Sequence, residues 1–528
     1  MHSPARRTPS SRTTRLKTAA VCTGLLMLTA ACGLKSSAVD NLKSAGAPVG
    51  SQGGGTSGGT SGTGGLPGTT GGTTGLPGTT GSTTGSPGTT GGFSTSGTGG
   101  TSTGTSGTSG TSGTSGTSGT SGTSGTTGQP GGPCGVPTGG DTTGITKNVI
   151  NIGLHAPLTG TGTPFPNSSF QKGAQVFFDQ PENKVCGRKV QVDFEDDTYT
   201  PDGANKVCSQ FAKTTFLAIG GAGTDQIQAC ATNTDIQRTQ TPYLSAGVTD
   251  NGLTKLNNYF ALSLTYKQQG GIVVRNAIQQ GFGKPAPSTG GDKKQWEVIT
   301  GKSDNFNGAT QGISAALDAA GISYHVNRFD QNSGNYDNAA TQLGQQLALN
   351  GVKTIFVDAA PGVFVFLVKG YYGASPTGNG VHWTGPGVTF TDFLVAQLTC
   401  QVSANAINGA ADYLAPAPGL DHATEEFKKA LGNNYDDIEW GLWLVDKAIF
   451  QMLQRANSNL TRQHFTDTVL HGSFGEGEMV PAIYNGGHFG GTGAWVQRVN
   501  CGKNNPDQPS GPQGNGYWDT VGTTYLRP

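Results

Sequence analysis

Charged residues are scarce in this 528-residue sequence, and the two signs balance. Lys and Arg number 33, Asp and Glu number 33, and together they make up 12% of the chain. A protein that binds nucleic acid shows a basic face or stripe, and the sequence has none, so we predict no nucleic-acid partner. No apolar run after residue 32 approaches the roughly 20 residues needed to span a bilayer. Contact with a membrane is therefore expected only through the N-terminus.

Motifs of common enzymes and metal centres are also missing. Beyond residue 140 there is no G-x-S-x-G, the whole sequence has no H-E-x-x-H, and the eight His show no metal-ligand spacing. No C-x-x-C occurs, which leaves a zinc ribbon or a thioredoxin-like site unsupported. We predict a protein that is not an enzyme and that has no cofactor and no metal.

Glycine, in contrast, is abundant and concentrated in one stretch. The chain has 88 Gly, far above the usual share of about 7%, and residues 44–140 are nearly all Gly, Ser, Thr and Pro. Ten-residue units repeat over 65–94, and Thr-Ser-Gly repeats over 105–125. With almost nothing apolar to bury, residues 32–145 are predicted to be a disordered tether with a reach of roughly 50–60 Å. A spacer, a wall-binding segment and a glycosylated stalk all fit this composition.

The N-terminus has the pattern of an export signal. Residues 1–17 carry five basic residues and no acid, and residues 18–31 are apolar or small. Cys32 followed by Gly33 resembles the bacterial lipoprotein signal, although Thr29 stands where that family usually has Leu. The resemblance implies that residues 1–31 are removed and that acylated Cys32 anchors the chain to the extracellular face of the bacterial cell membrane. An ordinary signal peptide with a coincidental cysteine is the alternative.

From Thr146 onward, short apolar runs alternate with stretches that have a helical pattern. The first series predicts strands at 149–154, 189–194, 216–219 and 243–244, with helices at 169–179, from Pro201 and from Asp225. The second series predicts strands at 296–300, 324–329, 353–358, 381–384 and 411–415, separated or followed by helices at 306–320, 337–350, 362–371, 424–431 and 438–456. Strands that alternate with helices indicate a parallel sheet.

Two such series predict an α/β fold of two Rossmann-like lobes joined by a hinge. Lobe I is expected at about 146–260 and lobe II at about 267–400, with residues 401–528 returning between the lobes. In open α/β sheets, ligands bind at the carboxyl ends of the strands, where loops meet helix N-termini. We therefore expect the ligand site in the cleft between the lobes.

Four loops carry a resemblance to a known family. Residues 152–160 (IGLHAPLTG), 190–201 (VQVDFEDDTYTP), 242–249 (PYLSAGVT) and 304–308 (DNFNG) are similar to loops of type I periplasmic binding proteins, in the leucine/isoleucine/valine-binding branch. The resemblance covers about residues 146–500. It implies a protein that captures a small organic solute, an amino acid or related acid or amide, for an ABC permease and its ATPase. A surface receptor domain that senses a ligand and signals to a membrane partner is the alternative.

The same resemblance implies which residues bind the ligand. Glycine permits close backbone approach, and the threonine hydroxyls are hydrogen-bond donors. Each Gly-rich loop taken alone is common to all α/β folds, and each aromatic residue, like Trp383, fits a packing role equally. The implied ligand-binding residues are Thr159, Gly160, Phe165, Ala222, Gly223, Thr224, Gly247 and Thr249 from the first lobe, with Phe306, Asp358 and Pro361 from the second.

Asp358 is a candidate partner for an ammonium group on the ligand. Relatives that bind α-amino acids pair the ammonium group with an acid of the second lobe, and residues 384–388 of this chain contain none. Because a buried ammonium without a partner is costly, Asp358 is the nearest substitute. It is interpreted either as an ammonium anchor or as a solvated turn residue, and an uncharged or anionic ligand remains an alternative.

The six cysteines that follow Cys32 form an even set in an exported chain, which indicates disulfides. Six cysteines allow 15 connectivities. We pair Cys208 with Cys230 because they fall on successive helices of one lobe, and Cys400 with Cys501. Cys134 with Cys186 is the remaining pair.

Overall fold

The computed structural model describes most of the chain after residue 138. The described residues are 137, 139–160, 163, 167–245, 250–282, 296–390, 407–412, 415, 424–475, 477, 479–503 and 516–528. All of them belong to one unit of contiguous contacts. Cys32 and nearly all of the predicted tether, together with Cys134, Phe165, Gly247, Thr249 and Cys400, lie outside the described residues.

The first lobe is built on a six-stranded sheet in the order β2-β3-β1-β4-β5-β6. All neighbouring pairs are parallel except β2 with β3, which form a short hairpin. The strands are β1 (Val149–Ala156), β2 (Lys184–Val185), β3 (Arg188–Asp196), β4 (Leu217–Gly220), β5 (Tyr243–Ser245) and β6 (Tyr259–Ala261).

Helices follow the strands of this sheet, as the alternating pattern predicts. They are α1 (Ser168–Gly173), α2 (Pro201–Thr214), α3 (Thr224–Ala231) and α4 (Thr234–Arg238). Thr200 caps α2 by accepting a hydrogen bond from the Gly203 N–H, and Pro201 occupies the first turn, where its missing N–H costs nothing. The prediction of a helix through residue 179 was wrong, since α1 ends at Gly173, although Phe177 and Phe178 are buried as expected.

The second lobe is built on a seven-stranded sheet in the order β15-β14-β11-β10-β9-β7-β8. The strands are β7 (Trp296–Gly301), β8 (Tyr324–Phe329), β9 (Thr354–Asp358), β10 (His382–Pro386), β11 (Ile407–Asp412), β14 (Ala494–Asn500) and β15 (Tyr517–Leu526). The strands from β8 to β11 pair in parallel, whereas β14 and β15 add an antiparallel edge. The helices are α5 (Tyr266–Gln279), α6 (Asn307–Ala319), α7 (Tyr336–Leu349) and α8 (Pro361–Ala374).

The C-terminal part of the chain returns to the first lobe before it completes the second sheet. Its elements are α9 (Glu425–Leu431), α10 (Asp437–Arg455), α11 (Arg462–Leu470) and the hairpin β12 (Ser473–Phe474) with β13 (Ala482–Ile483). Short 3-10 turns lie at Leu253–Lys255, Asp304–Phe306, Gly378–Gly380, Gly387–Thr389 and Asn457–Asn459. Helix α10 packs on α1, and its Trp443 ring meets Phe177 edge-on at 5.0 Å between centroids.

Two connections between the lobes run side by side. The Gly490 N–H donates to the Ala261 carbonyl at 2.9 Å, and the Gly491 N–H donates to the Ser263 carbonyl at 3.2 Å. A Cβ atom at position 491 would overlap the Ser263–Leu264 backbone, so glycine is required for this close approach. These paired segments are the hinge about which the lobes are joined.

Buried apolar side chains form a large cluster that extends from the first sheet to β7 and α6 of the second lobe, and a second cluster around β9, β10 and α8. Trp383 belongs to the second cluster. It is fully buried and makes edge contacts with Phe364 and Tyr371 at 5.6 and 5.7 Å. The packing interpretation of Trp383 therefore holds.

The disulfide between Cys208 and Cys230 joins α2 to α3, with 5.5 Å between the Cα atoms, as predicted. Cys186 and Cys501 are also disulfide-bonded. Their predicted partners, Cys134 and Cys400, lie outside the described residues, so those two pairings stay predictions. His155 lies close to Cys208 and Cys230, but sulfurs joined to each other are not thiolate ligands for a metal.

Arg462 connects the C-terminal helices to the first lobe. Its side chain is 1% exposed, donates to the carbonyls of Ala212 and Thr215 at 3.1 and 2.6 Å, and pairs with Asp141 at 2.9 Å. Removing one member of a buried charged network leaves the others unpaired.

We expect Arg462→Met to lower the free energy of unfolding by about 3 kcal/mol, because the buried carbonyls and Asp141 lose their charged donor. Urea denaturation of the full chain measures this change. Arg238→Met is the matched control, since that arginine is exposed and pairs with Asp235 three residues away, and it should cost less than about 1 kcal/mol. Equal effects of the two substitutions would contradict the assignment.

Candidate ligand-binding site

The first two loops at the carboxyl end of the first sheet are tied together by Asp196. Its carboxylate accepts hydrogen bonds from the Leu158 N–H at 2.9 Å and from the Thr159 hydroxyl at 2.7 Å. Partial burial opposes ionisation, but the hydrogen bonds from Thr159, Leu158 and Thr198 prevail and hold the pKa of Asp196 below its ordinary value. Thr159 is thus held in place at the rim of the sheet.

A fully buried polar chain lies beneath these loops. His155 Nδ1 lies 2.8 Å from Asp197 Oδ2, and His155 Nε2 lies 2.7 Å from the Tyr243 hydroxyl. The other oxygen of Asp197 accepts the Tyr199 N–H at 2.9 Å. Thr198 and Tyr199 both have φ of 53°, a left-handed backbone that is strained for such residues. The Asp197 network holds the strained turn and fixes the position of Tyr199.

The third loop ends at the N-terminus of α3. Gly223 is the N-cap with φ of 85°, and no side chain caps the helix there. A Cβ atom at position 223 would overlap the Gln226 amide and lie 3.1 Å from the Tyr199 ring, so Gly223 lets the loop pass close to both. Backbone N–H groups at such an uncapped N-terminus suit a carboxylate.

Tyr266 joins the two lobes. It is the first residue of α5, directly after the hinge, and its hydroxyl is hydrogen-bonded to the Thr224 hydroxyl of the first lobe. Its ring stacks on Phe306 of the second lobe, with 5.4 Å between centroids and 18° between planes. Burial, reinforced by the nearby negative charge of Asp358, raises the pKa of the Tyr266 phenol. Tyr266 is therefore a neutral hydrogen-bonding group at neutral pH.

Asp358 ends β9 and is only 3% exposed, so the interpretation as a solvated turn residue was wrong. Among the described residues its carboxyl group has no hydrogen-bond or ion-pair partner. Burial raises its pKa from 3.8 to about 7. An unpaired buried carboxyl group beside a neutral phenol is a polar position at which a ligand gains contacts.

Two further side chains of the second lobe lie near the start of α8, the helix that follows Asp358. The Gln331 amide oxygen accepts the Ala360 N–H at 2.8 Å and so positions the start of α8 at Pro361. Tyr336 lies against the same turn, because a Cβ atom on Gly362 would be 3.1 Å from its hydroxyl. The charge of Tyr336 also raises the pKa of Tyr199, after burial and the charges of two aspartates.

The lobes are bridged at the mouth of the cleft by Asp225 of α3. Its Oδ1 accepts the Ser303 hydroxyl at 2.7 Å and the Asn305 amide at 2.6 Å. Arg328 holds that second-lobe loop in place by donating to the carbonyls of Gly301 and Ser303 at 2.9 and 2.6 Å. A carboxylate of one lobe thus fastens a preformed loop of the other.

The structure brings together many of the residues that the sequence analysis selected. Thr224 and Phe306 both contact Tyr266, Asp358 lies beside it, and Pro361 begins the neighbouring helix. Ala222 and Gly223 form the loop before α3, and Thr159 and Gly160 lie on the adjoining loop. Phe165, Gly247 and Thr249 lie outside the described residues and stay predictions.

Five side chains described at this site were missed by the sequence analysis: Tyr199, Asp225, Tyr266, Gln331 and Tyr336. Tyr199 lies within the acidic turn that carried the resemblance, so the same resemblance could have selected it. Tyr266 follows Thr265, which forms a capping box with Gln268. That T-x-x-Q signal marks a helix start next to the lobe boundary, and it was the clue to α5.

The profile of the periplasmic binding protein family matches residues 149–505. The chain belongs to this family. The predicted resemblance to ABC-transporter substrate-binding proteins of the leucine/isoleucine/valine-binding type, and with it the predicted fold class, is confirmed. A comparison with curated protein sequences finds no match.

Solved structures of similar fold are substrate-binding proteins. A fatty acid ABC transporter substrate-binding protein from Thermomonospora curvata has a TM-score of 0.57 at 15% identity, covering 74% of this chain and 97% of its own. A solute-binding protein from Rhodopseudomonas palustris, in complex with 3,4-dihydroxybenzoic acid, has a TM-score of 0.57 at 14% identity, covering 72% and 98%. A leucine-binding protein from Thermotoga maritima has a TM-score of 0.53 at 13% identity, covering 72% and 99%.

Within the described part of this binding protein, no helix has the length and apolar character needed to cross a membrane.

We expect Asp225→Ala to shift the binding protein toward an open form, because two hydrogen bonds to a carboxylate are lost. Hydrogen bonds to charged groups contribute about 1.5–3 kcal/mol each, so the open population should rise at least about tenfold. Hydrogen exchange followed by mass spectrometry should show faster exchange in peptides that cover Ser303–Asn305. Asp202→Ala, an exposed acid on α2, is the control. Unchanged exchange in those peptides would contradict the bridge.

A second prediction concerns pH and Asp358. Its pKa is about 7 in the folded protein and about 4 in an unfolded chain. The folded state therefore keeps a proton that the unfolded state releases, so this group's contribution to stability is full below about pH 4 and is lost as pH rises to about 7. Asp358→Asn should remove this loss of stability. Across this pH window the variant should become more stable than the parent protein, by an amount on the order of 4 kcal/mol at the upper end.

Denaturation curves at a series of pH values measure this difference. Asp330→Asn removes an exposed acid of the same lobe, which is 53% exposed and pairs with Lys302, and serves as the control. If the Asp358→Asn protein and its parent lose stability in parallel over the whole range, Asp358 does not titrate as described.

Proposed function

We propose that this binding protein captures a small organic solute outside the cell and delivers it to the permease and ATPase subunits of an ABC importer. Family membership and the two bridged lobes support this role. A ligand that contacts both lobes favours the closed form by its differential affinity. The permease then recognises the closed form.

The proposed ligand is an amino acid or a closely related acid or amide. Its carboxylate would lie at the N-terminus of α3, where Ala222, Gly223 and Thr224 present backbone N–H groups and no side chain competes. Among the similar structures, one is named for leucine binding and another holds an aromatic acid, and both ligands carry a carboxyl group. The loops with Thr159, Gly160, Phe165, Gly247 and Thr249 are proposed to supply the remaining first-lobe contacts.

The observation that carries this proposal is the buried carboxyl group of Asp358 beside Tyr266, which has no partner in the part of the chain that the structure describes. A buried charge without a partner is unfavourable, whereas an ammonium or amide group of the ligand would pair with it. Phe306 and Pro361 would border the ligand on the second-lobe side. Asp358 would thus do the work of the acid that residues 384–388 lack.

We also propose that Cys32 anchors the chain to the extracellular face of the cell membrane after removal of residues 1–31. The support comes from the export pattern and the Cys32-Gly33 junction. Several acyl chains on one cysteine would retain the protein durably, at about 0.8 kcal/mol per buried methylene. Residues 33–145 then serve as the tether.

A thermal-shift screen of amino acids, their amides and aromatic acids tests the ligand assignment. A ligand that binds only the folded state stabilises it by about 2.7 kcal/mol at a hundredfold excess over Kd. For an amino acid or other amine, we expect affinity to rise with pH through about 7, as Asp358 ionises. We expect Asp358→Asn to weaken binding at least about tenfold at pH 8 and to flatten this pH profile.

Asp330→Asn is again the matched control and should retain full affinity. Tyr266→Phe, which removes only the hydroxyl bonded to Thr224, should weaken binding less than Asp358→Asn. A ligand whose affinity falls as pH rises, and is unaffected by Asp358→Asn, would show that Asp358 does not hold an ammonium group.

A further inference from the structure

A cavity of about 640 Å³ lies on the second lobe, between the C-terminal half of α5 and the strand β15. The α5 residues that line the cavity begin at Ile272. They include Asn276, which lies about 15 Å along the helix from Tyr266 at 1.5 Å per residue. None of the residues placed in the interlobe cleft lines it. Its volume falls in the range of about 300–1,000 Å³ that is typical of small-molecule sites.

One wall of the cavity is aromatic. Trp495 is 8% exposed, and its ring meets Tyr525 edge-on, with 5.6 Å between centroids and 79° between planes. Ile272 and Leu526 add apolar surface. Such a wall favours a planar apolar group, since aromatic rings pair well in offset or edge arrangements.

The rim of the cavity is cationic. Arg275 and Arg527 both line it, and the Arg527 guanidinium lies 5.0 Å above the Tyr525 ring. Neither arginine has a carboxylate partner among the described residues, and the lining includes no acidic side chain. Arginine forks bind carboxylates through two parallel hydrogen bonds, so the rim is suited to a carboxylate.

Asn276 gives independent evidence for a polar ligand group. It lines the cavity and is 7% exposed, yet its side-chain nitrogen has no hydrogen-bond partner among the described residues. An unpaired buried donor costs about 1–3 kcal/mol. An acceptor oxygen from a ligand would relieve that cost.

We infer that this cavity is a second binding site, which takes a small aromatic carboxylate. The ring lies against Trp495 and Tyr525, the carboxylate pairs with Arg275 and Arg527, and Asn276 donates to a ligand oxygen. The inference is independent of the ligand proposed for the interlobe cleft, because the two sites share no residue.

Fluorine NMR of the full chain labelled with 5-fluorotryptophan tests the inference. The chain has six Trp, and Trp495→Phe identifies the resonance of Trp495. Benzoate at millimolar concentration should shift that resonance in a saturable way. Benzyl alcohol has the same ring without the charge and should bind at least about tenfold more weakly, since hydrogen bonds to charged groups contribute about 1.5–3 kcal/mol.

Substitutions separate the cavity from the cleft. Arg275→Gln and Arg527→Gln should each weaken the benzoate-dependent shift of Trp495 about tenfold, with unchanged thermal stability. Arg238→Gln, which removes the same charge from the first-lobe surface, should have no effect. Asp358→Asn should also leave the Trp495 titration unchanged, so failure of the cleft proposal and failure of this one are distinguishable.

Three outcomes would overturn the inference. The first is a Trp495 resonance that benzoate does not move. The second is equal affinity for benzoate and benzyl alcohol, or for inorganic phosphate, which would remove the assignment of an aromatic carboxylate. The third is a benzoate-dependent shift that survives both arginine substitutions.

Discussion

The contact of Tyr266 with Thr224 and Phe306 is the constraint on which the site depends. The hydroxyl of Tyr266 is bonded to one lobe and its ring is stacked on the other, directly where the chain leaves the hinge. Rotation of the lobes therefore changes the surroundings of this one side chain first. Because Asp358 lies beside it, the same motion alters the polarity around the buried carboxyl group, so hinge geometry and ligand chemistry are linked at a single point.

The carboxylates around the cleft have different roles because their surroundings differ. Asp196 is ionised and saturated with hydrogen bonds from its own lobe, so it organises loops. Asp197 is buried with His155 and supports a strained turn. Asp225 reaches across to the other lobe, and only Asp358 is left without a partner among the described residues. The acids that have hydrogen-bond partners hold the loops and the lobes in place, whereas Asp358 is available to a ligand.

Much of the fold could be predicted from the sequence because parallel strands are buried on both faces and read as short apolar runs. The strands β1, β7 and β9 were located within a few residues for this reason, whereas β3, which is only partly buried, was located from its alternating Val190, Val192 and Phe194. The antiparallel strands β14 and β15 were missed. The edge strand β15 is partly exposed and rich in polar residues, and the buried strand β14 carries polar residues among its apolar ones. Helix α5 was missed because its two glycines, Gly270 and Gly271, interrupt the apolar stripe where α6 packs closely.

The site was predicted less completely for a physical reason. Gly223, Thr224 and Phe306 were selected because their loops resemble those of the family, and a resemblance of this kind is carried by local sequence. Whether an acid is solvated or buried depends on neighbours distant in sequence, and so Asp358 was left open until the fold was known. Tyr199 and Tyr336 belong to different lobes, and no local sequence pattern relates two such residues.

The attachment of Asp141 to Arg462 has a mechanical consequence. Asp141 precedes the first strand, and Arg462 ties it to the carbonyls of Ala212 and Thr215 in the first lobe. A pull from the N-terminal side of the chain is thus transmitted to that lobe through the ion pair of Asp141 with the buried Arg462. The second lobe takes no part in this attachment, so it can rotate while the first lobe is held.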